Sequence, residues 1–221
     1  MNKNLFLTAS MLVNFINHKH LIIDEFKEKL LNIKKSEKTV VDNLRIKNGL
    51  IHEENYFKEL SKKYKKVKNI KILNKLSKEE KIKETNDALK KGYELIYGGW
   101  LKSGNFRGEL DFLEINNNVK SNLGNWSYEI IDTKNSAKVK GDHIYQLSLY
   151  SFLLQEAQGV FPKNFYVLLK DKSKVPILLN DVYASFLKQK KYFEKFMENE
   201  LNRKILEKIS YCSLRDIQEF C

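Results

Sequence analysis

The chain has 221 residues, of which 42% are hydrophobic, so it can bury one good core but is short for two full domains. Its 40 basic and 28 acidic side chains give a net charge of +12. This excess favours a polyanionic partner, because cationic side chains that contact phosphates release counterions. Most of this excess is lysine, which is also common on solvent-exposed surfaces that bind nothing. Charge alone therefore does not identify the partner.

An apolar run, residues 5–16, lies near the amino terminus. It lacks a small-x-small cleavage site and leads directly into His18 and His20, and no stretch of the chain approaches the length of a membrane span. Ser10 is predicted to cap a helix in this run. We therefore expect a cytoplasmic protein without a membrane segment, in which Cys212 and Cys221 are reduced thiols.

Two helices are predicted before the main strands. Apolar residues recur with helical spacing over residues 40–64, and residues 85–92 have the pattern of a helix end closed by Gly92. The region between them is rich in lysine. Two interpretations stay open for this lysine-dense segment, a path for phosphates or an exposed helix end; its lysines are Lys62, Lys63, Lys65, Lys66 and Lys68.

The next segments are predicted as strands. Residues 93–97 enter a first strand, residues 101–115 form its hairpin partner, and Ser103-Gly104-Asn105 is the turn. Residues 165–169 are predicted as a buried strand, and residues 181–209 as one or two charged helices.

The strand over residues 128–134 brings an acid and an amine to one strand end. Asp132 and Lys134 share a face, because side chains in a strand repeat every two residues. A carboxylate there can hold a hard divalent cation, and a lysine can orient an attacking water or stabilise phosphorane charge. Asp111, from the segment Gly108-Glu109-Leu110-Asp111, would supply a second carboxylate. The tripeptide Asp-Thr-Lys is common by itself, so its surroundings decide its meaning.

An amphipathic helix is predicted over residues 141–154, after this strand. His143, Gln146 and Tyr150 are spaced so that they line one face, which would meet the strand carboxylates. His143 either contacts nucleic acid or is merely a residue at the helix start, and the sequence leaves both open.

The order of these motifs, Gly-x-Leu-Asp-Phe-Leu, then Asp-Thr-Lys, then Gln-Leu-x-Leu-Tyr-Ser on a helix, resembles the PD-(D/E)XK nuclease superfamily. The resemblance is to the branch that holds RecB-type nucleases and CRISPR-associated exonucleases, and it covers nearly the whole chain. It implies that Asp111, Asp132 and Lys134 are catalytic and that Gln146 and Tyr150 hold the lysine and contact the DNA backbone. The segment Gly49-Leu50-Ile51-His52-Glu53 fits the family's histidine metal ligand.

The resemblance implies an α/β, restriction-endonuclease-like core, a central mixed sheet flanked by helices, in one nuclease domain over residues 1–221. The metal, Mg²⁺ or Mn²⁺, would be held by His52, Asp111, Asp132 and the Thr133 carbonyl. The implied function is RecB-like hydrolysis of DNA phosphodiesters in repair, recombination or processing. The alternative is a non-catalytic nucleic-acid-binding module of the same fold that acts with a helicase partner.

The cysteines depart from the pattern of many relatives, which hold an iron-sulfur cluster with one amino-terminal and three carboxy-terminal cysteines. Here His18 stands at the first position and Arg215 at another, leaving Cys212 and Cys221. Because such a cluster needs about four donors, we expect none. The family often continues into helicase or ribonuclease H-like domains, so a segment beyond residue 221 that completes the site is the other interpretation.

Overall fold

A computed structural model describes residues 6–18, 22 and 39–218. In this part of the chain, six strands form one mixed sheet whose spatial order follows the chain order. The β1–β2 and β4–β5 pairs are parallel and the other pairs are antiparallel. The strands are β1 (Val67–Asn69), β2 (Leu95–Ser103), β3 (Phe106–Asn116), β4 (Ser127–Thr133), β5 (Asn164–Leu168) and β6 (Lys174–Leu178).

Helices flank this sheet, which confirms the predicted α/β class with a central mixed sheet. They are α1 (Ala9–Asn17), α2 (Val40–Leu60, followed by a 3₁₀ turn, Ser61–Lys63), α3 (Lys78–Lys90), α4 (Gly141–Gln158) and α5 (Leu179–Gln218). Helix α3 connects β1 to β2 and α4 connects β4 to β5, as parallel strands require a crossover. None of the helices in the described ranges is both long enough and apolar enough to cross a membrane.

Two apolar clusters hold the helices on the sheet. The larger one joins α1, α3, α4 and α5 to the strands through residues such as Leu12, Leu89, Leu149, Phe186 and Ile130. The smaller one packs the end of α2 on the sheet; its members are Leu60, Leu95, Tyr97, Phe112, Ile131 and Leu168. The active-site candidates of α2 and α4 are therefore anchored from two sides of the sheet.

The amino-terminal helix begins differently from the prediction. Its cap is Thr8, whose hydroxyl accepts a hydrogen bond from the Met11 N–H at 3.4 Å, and not Ser10. Thr8 has an extended backbone, with φ −124° and ψ 164°, as a cap residue requires, whereas Ser10 lies inside the first helical turn.

The predicted turn at Ser103-Gly104-Asn105, the buried strand after α4 and the helix end at Gly92 are confirmed. The predicted bounds of the hairpin strands are wrong, because residues 101–103 belong to β2 and not to its partner. Gly92 has φ 62°, the left-handed conformation that glycine takes after a helix. The prediction omitted β1 and β6. Strand β1 has only three residues, and β6 alternates between exposed and half-buried positions, so neither gives a strong apolar signal. The charged carboxy-terminal segment is one 40-residue helix.

The end of α4 is fastened to the start of β4 by one buried amide. Gln158 Oε1 accepts the Tyr128 N–H at 2.8 Å, and Gln158 Nε2 donates to the Val160 carbonyl at 3.0 Å. Gln158 is fully buried, so water cannot replace these bonds. This contact fixes how α4 crosses the strands, and hence where Gln146 and Tyr150 lie.

Gln158→Ala should lower the free energy of unfolding by about 1–3 kcal/mol, because the buried Tyr128 N–H loses its acceptor. The measurement is chemical denaturation followed by circular dichroism. Gln155→Ala, in the same helix, is the control and should change stability by less than about 0.5 kcal/mol. Equal effects of the two substitutions would contradict the anchoring role of Gln158.

Candidate active site

Two aspartates lie where β3 and β4 stop pairing. The ladder between the strands ends at the Phe112–Ile131 pair, and the next residues in this register are Asp111 and Asp132. Asp132 is only 1% exposed. Asp111 Oδ2 accepts hydrogen bonds from the Thr133 N–H at 2.8 Å and from the Thr133 hydroxyl at 2.7 Å. The structure thus brings together the two carboxylates that the sequence proposed as a pair.

Lys134 completes the arrangement at the end of β4. Its Nζ lies 2.5 Å from Asp132 Oδ2, and its backbone N–H donates to the Leu168 carbonyl of β5 at 2.8 Å. The backbone bond holds Lys134 beside the sheet although the residue follows the last residue of β4. Thr133 acts here through its side chain and N–H, which orient Asp111.

Helix α2 supplies Glu53 to this group of charges. Glu53 is 6% exposed, and its carboxylate forms an ion pair with Lys71. We call Glu53, Asp111 and Asp132 the carboxylate cluster, because the charge of Asp111 raises the pKa of both other acids. The sequence predicted His52, and not Glu53, as the residue of this helix that joins the site. Because adjacent helix residues differ by about 100° in direction, the His52 side chain points elsewhere and lines a neighbouring cavity.

His52 thus lies outside the group of contacts that the structure shows around Asp111, Asp132 and Lys134. Its Nε2 is buried and has no hydrogen-bond partner. The sequence signal for Glu53 was present in the same Gly-x-x-His-Glu segment, one residue further on. Only the rotation of α2 on the sheet decides which of the two side chains faces the aspartates.

Lys71 is a site residue that the sequence did not indicate. It follows β1 in a loop, contacts Glu53, and has its Nζ 3.9 Å from Glu109 and 5.2 Å from the centre of the Tyr97 ring. Gly98 makes room for it. A Cβ on Gly98 would lie 2.2 Å from Lys71 Cγ, and Gly98 has φ 68°, so two independent constraints select glycine.

Burial and mutual repulsion control the charge of the cluster. Loss of solvent, followed by the charge of Asp111, raises the pKa of Glu53 to about 7. The same two causes raise the pKa of Asp132, although Lys134 opposes them. Both acids therefore keep part of their protons near neutral pH although Lys71 and Lys134 lie against them, and perturbed carboxyl groups of this kind are frequent at functional sites.

Helix α4 contributes the polar face that the sequence predicted. Gln146 Nε2 donates to the Tyr150 hydroxyl at 3.2 Å, and burial, followed by the charge of Asp132, raises the pKa of Tyr150. His143 Nδ1 accepts the Lys140 N–H at 3.2 Å. Burial and the nearby Lys134 lower the pKa of His143 to about 4, so its imidazole is neutral at pH 7.

The donors of the cluster are oxygens, which suit Mg²⁺ or Mn²⁺. Within the described ranges, no three His, Cys, Asp or Glu side chains are drawn together as a metal-binding group. Each ammonium of Lys71 and Lys134 lies against a carboxylate of the cluster. The donor chemistry of the three acids fits a divalent cation.

Two cysteines bear on the question of an iron-sulfur cluster. Cys221 lies outside the described residues, and so does the side chain of Cys212. The expected absence of an iron-sulfur cluster therefore stays a prediction.

No protein-family model matches the chain, and no curated protein matches it. Among solved structures, one described as the crystal structure of SSO0001 is similar to this chain at 17% identity. The match covers 80% of this chain and 85% of that chain, with a TM-score of 0.29.

Gly108→Ala should disturb the site, because a Cβ on Gly108 would lie 2.5 Å from Tyr150 Cε1. We expect a loss of about 1–3 kcal/mol of stability from overpacking and displacement of the Tyr150 ring. Denaturant titration measures the loss of stability. Gly141→Ala is the control, since its Cβ would meet no atom within 4 Å. A variant Gly108→Ala as stable as Gly141→Ala would contradict this packing.

The raised pKa values of Glu53 and Asp132 predict how stability depends on pH. The folded protein holds protons on these acids up to about pH 7, whereas the unfolded chain releases them near pH 4. Their contribution to stability is thus present below about pH 4 and is lost as pH rises through about 7. His143, with its lowered pKa, contributes the opposite trend between about pH 4 and 6.5.

Asp132→Asn isolates the contribution of Asp132 to this pH dependence. In buffer with a metal chelator, we expect the difference in melting temperature, wild type minus variant, to decrease from pH 5 to pH 8. Glu198→Gln, at an exposed position in α5, should leave the pH profile unchanged. If the difference between wild type and Asp132→Asn is constant over this range, Asp132 does not titrate there.

Proposed function

We propose that the protein is a divalent-metal-dependent nuclease of RecB-like type, in the PD-(D/E)XK superfamily, that hydrolyses DNA phosphodiester bonds. The observation that carries this proposal is the meeting of Asp111, Asp132 and Lys134 where two adjacent strands separate. These three residue types in this order were the core of the sequence resemblance. The tertiary arrangement supports it independently, because nothing in sequence spacing requires Asp111 to lie beside Thr133.

The metal would be Mg²⁺ or Mn²⁺, held by carboxylate oxygens of Asp111, Asp132 and Glu53, with the Thr133 carbonyl as a further donor from the chain. Glu53 takes the place that the sequence gave to His52. When bound, such a cation would offset the charge of the phosphodiester and supply Lewis-acid activation of water. Thr133 keeps Asp111 aimed at the end of β4 through two hydrogen bonds.

The two lysines would serve the transition state. Lys134, beside Asp132, would orient the attacking water and stabilise the charge that develops on the phosphorane oxygens. Lys71, held by Glu53, presents a second ammonium near the same carboxylates. Tyr150 and Gln146 would brace the site from α4, where the Tyr150 ring fills the space left by Gly108.

A specific observation favours the alternative, a non-catalytic nucleic-acid-binding module with a helicase partner. Lys71 and Lys134 contact the carboxylates that a metal needs, and a degenerate site can use such ion pairs as permanent substitutes for a cation. The two functions differ in one measurable property. The nuclease must bind Mg²⁺ or Mn²⁺ at the cluster, and the module must not.

Lys134→Ala should reduce Mg²⁺- or Mn²⁺-dependent cleavage of labelled DNA by about a hundredfold or more, because a positioned charge at the transition state is lost. DNA binding should change little, since one half-buried lysine contributes little to phosphate contacts. Gel-resolved cleavage and fluorescence anisotropy measure the two properties.

Lys138→Ala is the matched control, because it removes the same charge from an exposed position four residues away. It should cleave like the wild type. Equal cleavage by Lys134→Ala and Lys138→Ala would overturn the role of Lys134. Absence of metal-dependent cleavage in the wild type, with metal-independent DNA binding, would favour the non-catalytic module.

A further inference from the structure

His143 is a buried histidine beside the candidate active site. It is the third residue of α4 and precedes Gln146 by three positions, on the helix face that also carries Tyr150. Its side chain is only 8% exposed. The charge of Lys134 is one cause of its lowered pKa, after burial. The imidazole therefore lies close to the ammonium that would serve the transition state.

A hydrogen bond at one ring nitrogen fixes the position of the imidazole proton. Nδ1 of His143 accepts the Lys140 N–H at 3.2 Å, so Nδ1 carries no hydrogen. A neutral imidazole that accepts at Nδ1 has its hydrogen on Nε2 and is a donor there. The backbone at the start of α4 thus selects one of the two neutral tautomers.

The Nε2–H donor of His143 has no acceptor in the part of the chain that the structure describes. None of the described residues bonds this nitrogen. Nε2 also keeps contact with solvent, unlike Nε2 of His52, which is buried without a partner. The neighbouring Gly141 and Asp142 are exposed, so a ligand can reach this end of the helix. Because the ring is buried and held in place, its donor needs an acceptor from water or from a ligand.

The charges around His143 indicate which acceptor fits. Lys134, at the end of β4, and Lys140, at the start of α4, both lower its pKa, so both ammonium groups are near. Among the described groups that act on this pKa, Asp142 is the carboxylate that raises it, and Asp142 accepts a hydrogen bond from Asn17 Nδ2 at 3.0 Å. The helix start adds partial positive charge. An acceptor at Nε2 would thus lie in positive potential, which favours an anion over water.

We propose that the neutral His143 imidazole donates its Nε2–H hydrogen bond to a phosphate oxygen of the DNA strand, next to the phosphodiester that Lys134 serves. The identity of the anion rests on the proposed function, because the donor alone fits any phosphate. Unlike a lysine, this donor holds an oxygen at one position without adding a third positive charge beside Lys134 and Lys140.

The neutral state limits what His143 can do in the reaction. Burial, followed by Lys134 and Lys140, lowers its pKa to about 4. At neutral pH it therefore has no acidic proton to give to a leaving oxygen. A fixed N–H still sets the position of a phosphate oxygen, and hydrogen bonds to charged acceptors are among the stronger ones. The inferred role of His143 is thus to bind and position the strand.

The first test observes the imidazole of the wild type in buffer with a metal chelator. Nitrogen-15 spectra distinguish the two neutral tautomers from the cation, and His143→Gln assigns the signals. We expect the Nε2–H tautomer from about pH 5.5 to about 8. A 5′-phosphorylated thymidine dinucleotide should shift the Nε2 signal more than inorganic phosphate at equal concentration.

Three results of this first test would overturn the proposal. They are the Nδ1–H tautomer, a signal that neither probe shifts, and an equal or greater response to inorganic phosphate, which would assign the place to free phosphate. The spectra need no substitution in the observed protein, so the test holds even if a variant folds poorly.

The second test separates the donor from a residue that only caps the helix. Both His143→Gln and His143→Asn keep an acceptor for the Lys140 N–H, but only the longer glutamine places an N–H group near the former Nε2. In chelator, we expect His143→Asn to weaken binding of labelled DNA about tenfold and His143→Gln less than about threefold. Both melting temperatures should stay near that of the wild type. Equal binding by the two variants would mean that His143 is only a cap.

The third test asks whether the donor is uncharged. Lys140→Ala, which removes a neighbouring charge, should reduce the slope of log affinity against log salt by about 0.7–0.9, the value for one phosphate contact. His143→Asn should lower the affinity and leave the slope unchanged, because a neutral donor releases no counterion. A reduced slope in His143→Asn would show that His143 acts as a cation, and the proposal would be wrong.

The outcomes distinguish this inference from the proposed function. Metal-dependent cleavage by the wild type, with equal DNA binding by His143→Asn and His143→Gln, would keep the nuclease and reject the role of His143. A selective loss of binding in His143→Asn, with no metal-dependent cleavage by the wild type, would keep the His143 contact and favour the non-catalytic module.

Discussion

The burial of Asp132 is the constraint around which the rest of the site is built. A carboxylate that is 1% exposed cannot keep its charge unless other groups replace the water it has lost. Lys134 provides one such group, but Asp111 on the next strand works against it. Burial of the Asp132 carboxylate therefore lowers the free energy of unfolding. A bound cation is the simplest group that would offset this loss. This conflict distinguishes Asp132 from an ordinary acid at the end of a strand.

Two strand glycines allow the surrounding side chains to reach this point. Gly108 of β3 leaves space for the Tyr150 ring, and Gly98 of β2 leaves space for the Lys71 side chain. Glycine weakens a strand interior, because it loses more backbone entropy and packs nothing. The two apolar clusters include the neighbours of the charged residues, such as Leu110, Phe112 and Ile131, and Gln158 holds the start of β4, so these contacts offset the loss.

Much of this could be predicted from the sequence, for physical reasons that differ by residue. Asp132 and Lys134 share a strand end because of local alternation, and Gln146 and Tyr150 share a helix face because of helical spacing, so both pairs were identifiable. The pairing of Asp111 with Asp132 needed in addition the register between β3 and β4, which sequence spacing does not set. The choice between His52 and Glu53 depends on the rotation of α2, which tertiary packing sets and spacing does not. Lys71 lies in a loop after a three-residue strand, where no periodic signal exists.

The charge of the chain has two parts that depend on one another in the proposed function. The net excess of +12 would attract a nucleic acid from a distance, but the point of reaction is lined by carboxylates that repel phosphate. Lys71 and Lys134 lie against these carboxylates and offset part of that repulsion. In the proposed function, a scissile phosphate would approach the remaining carboxylate charge together with a cation, so hydrolysis would depend on the metal.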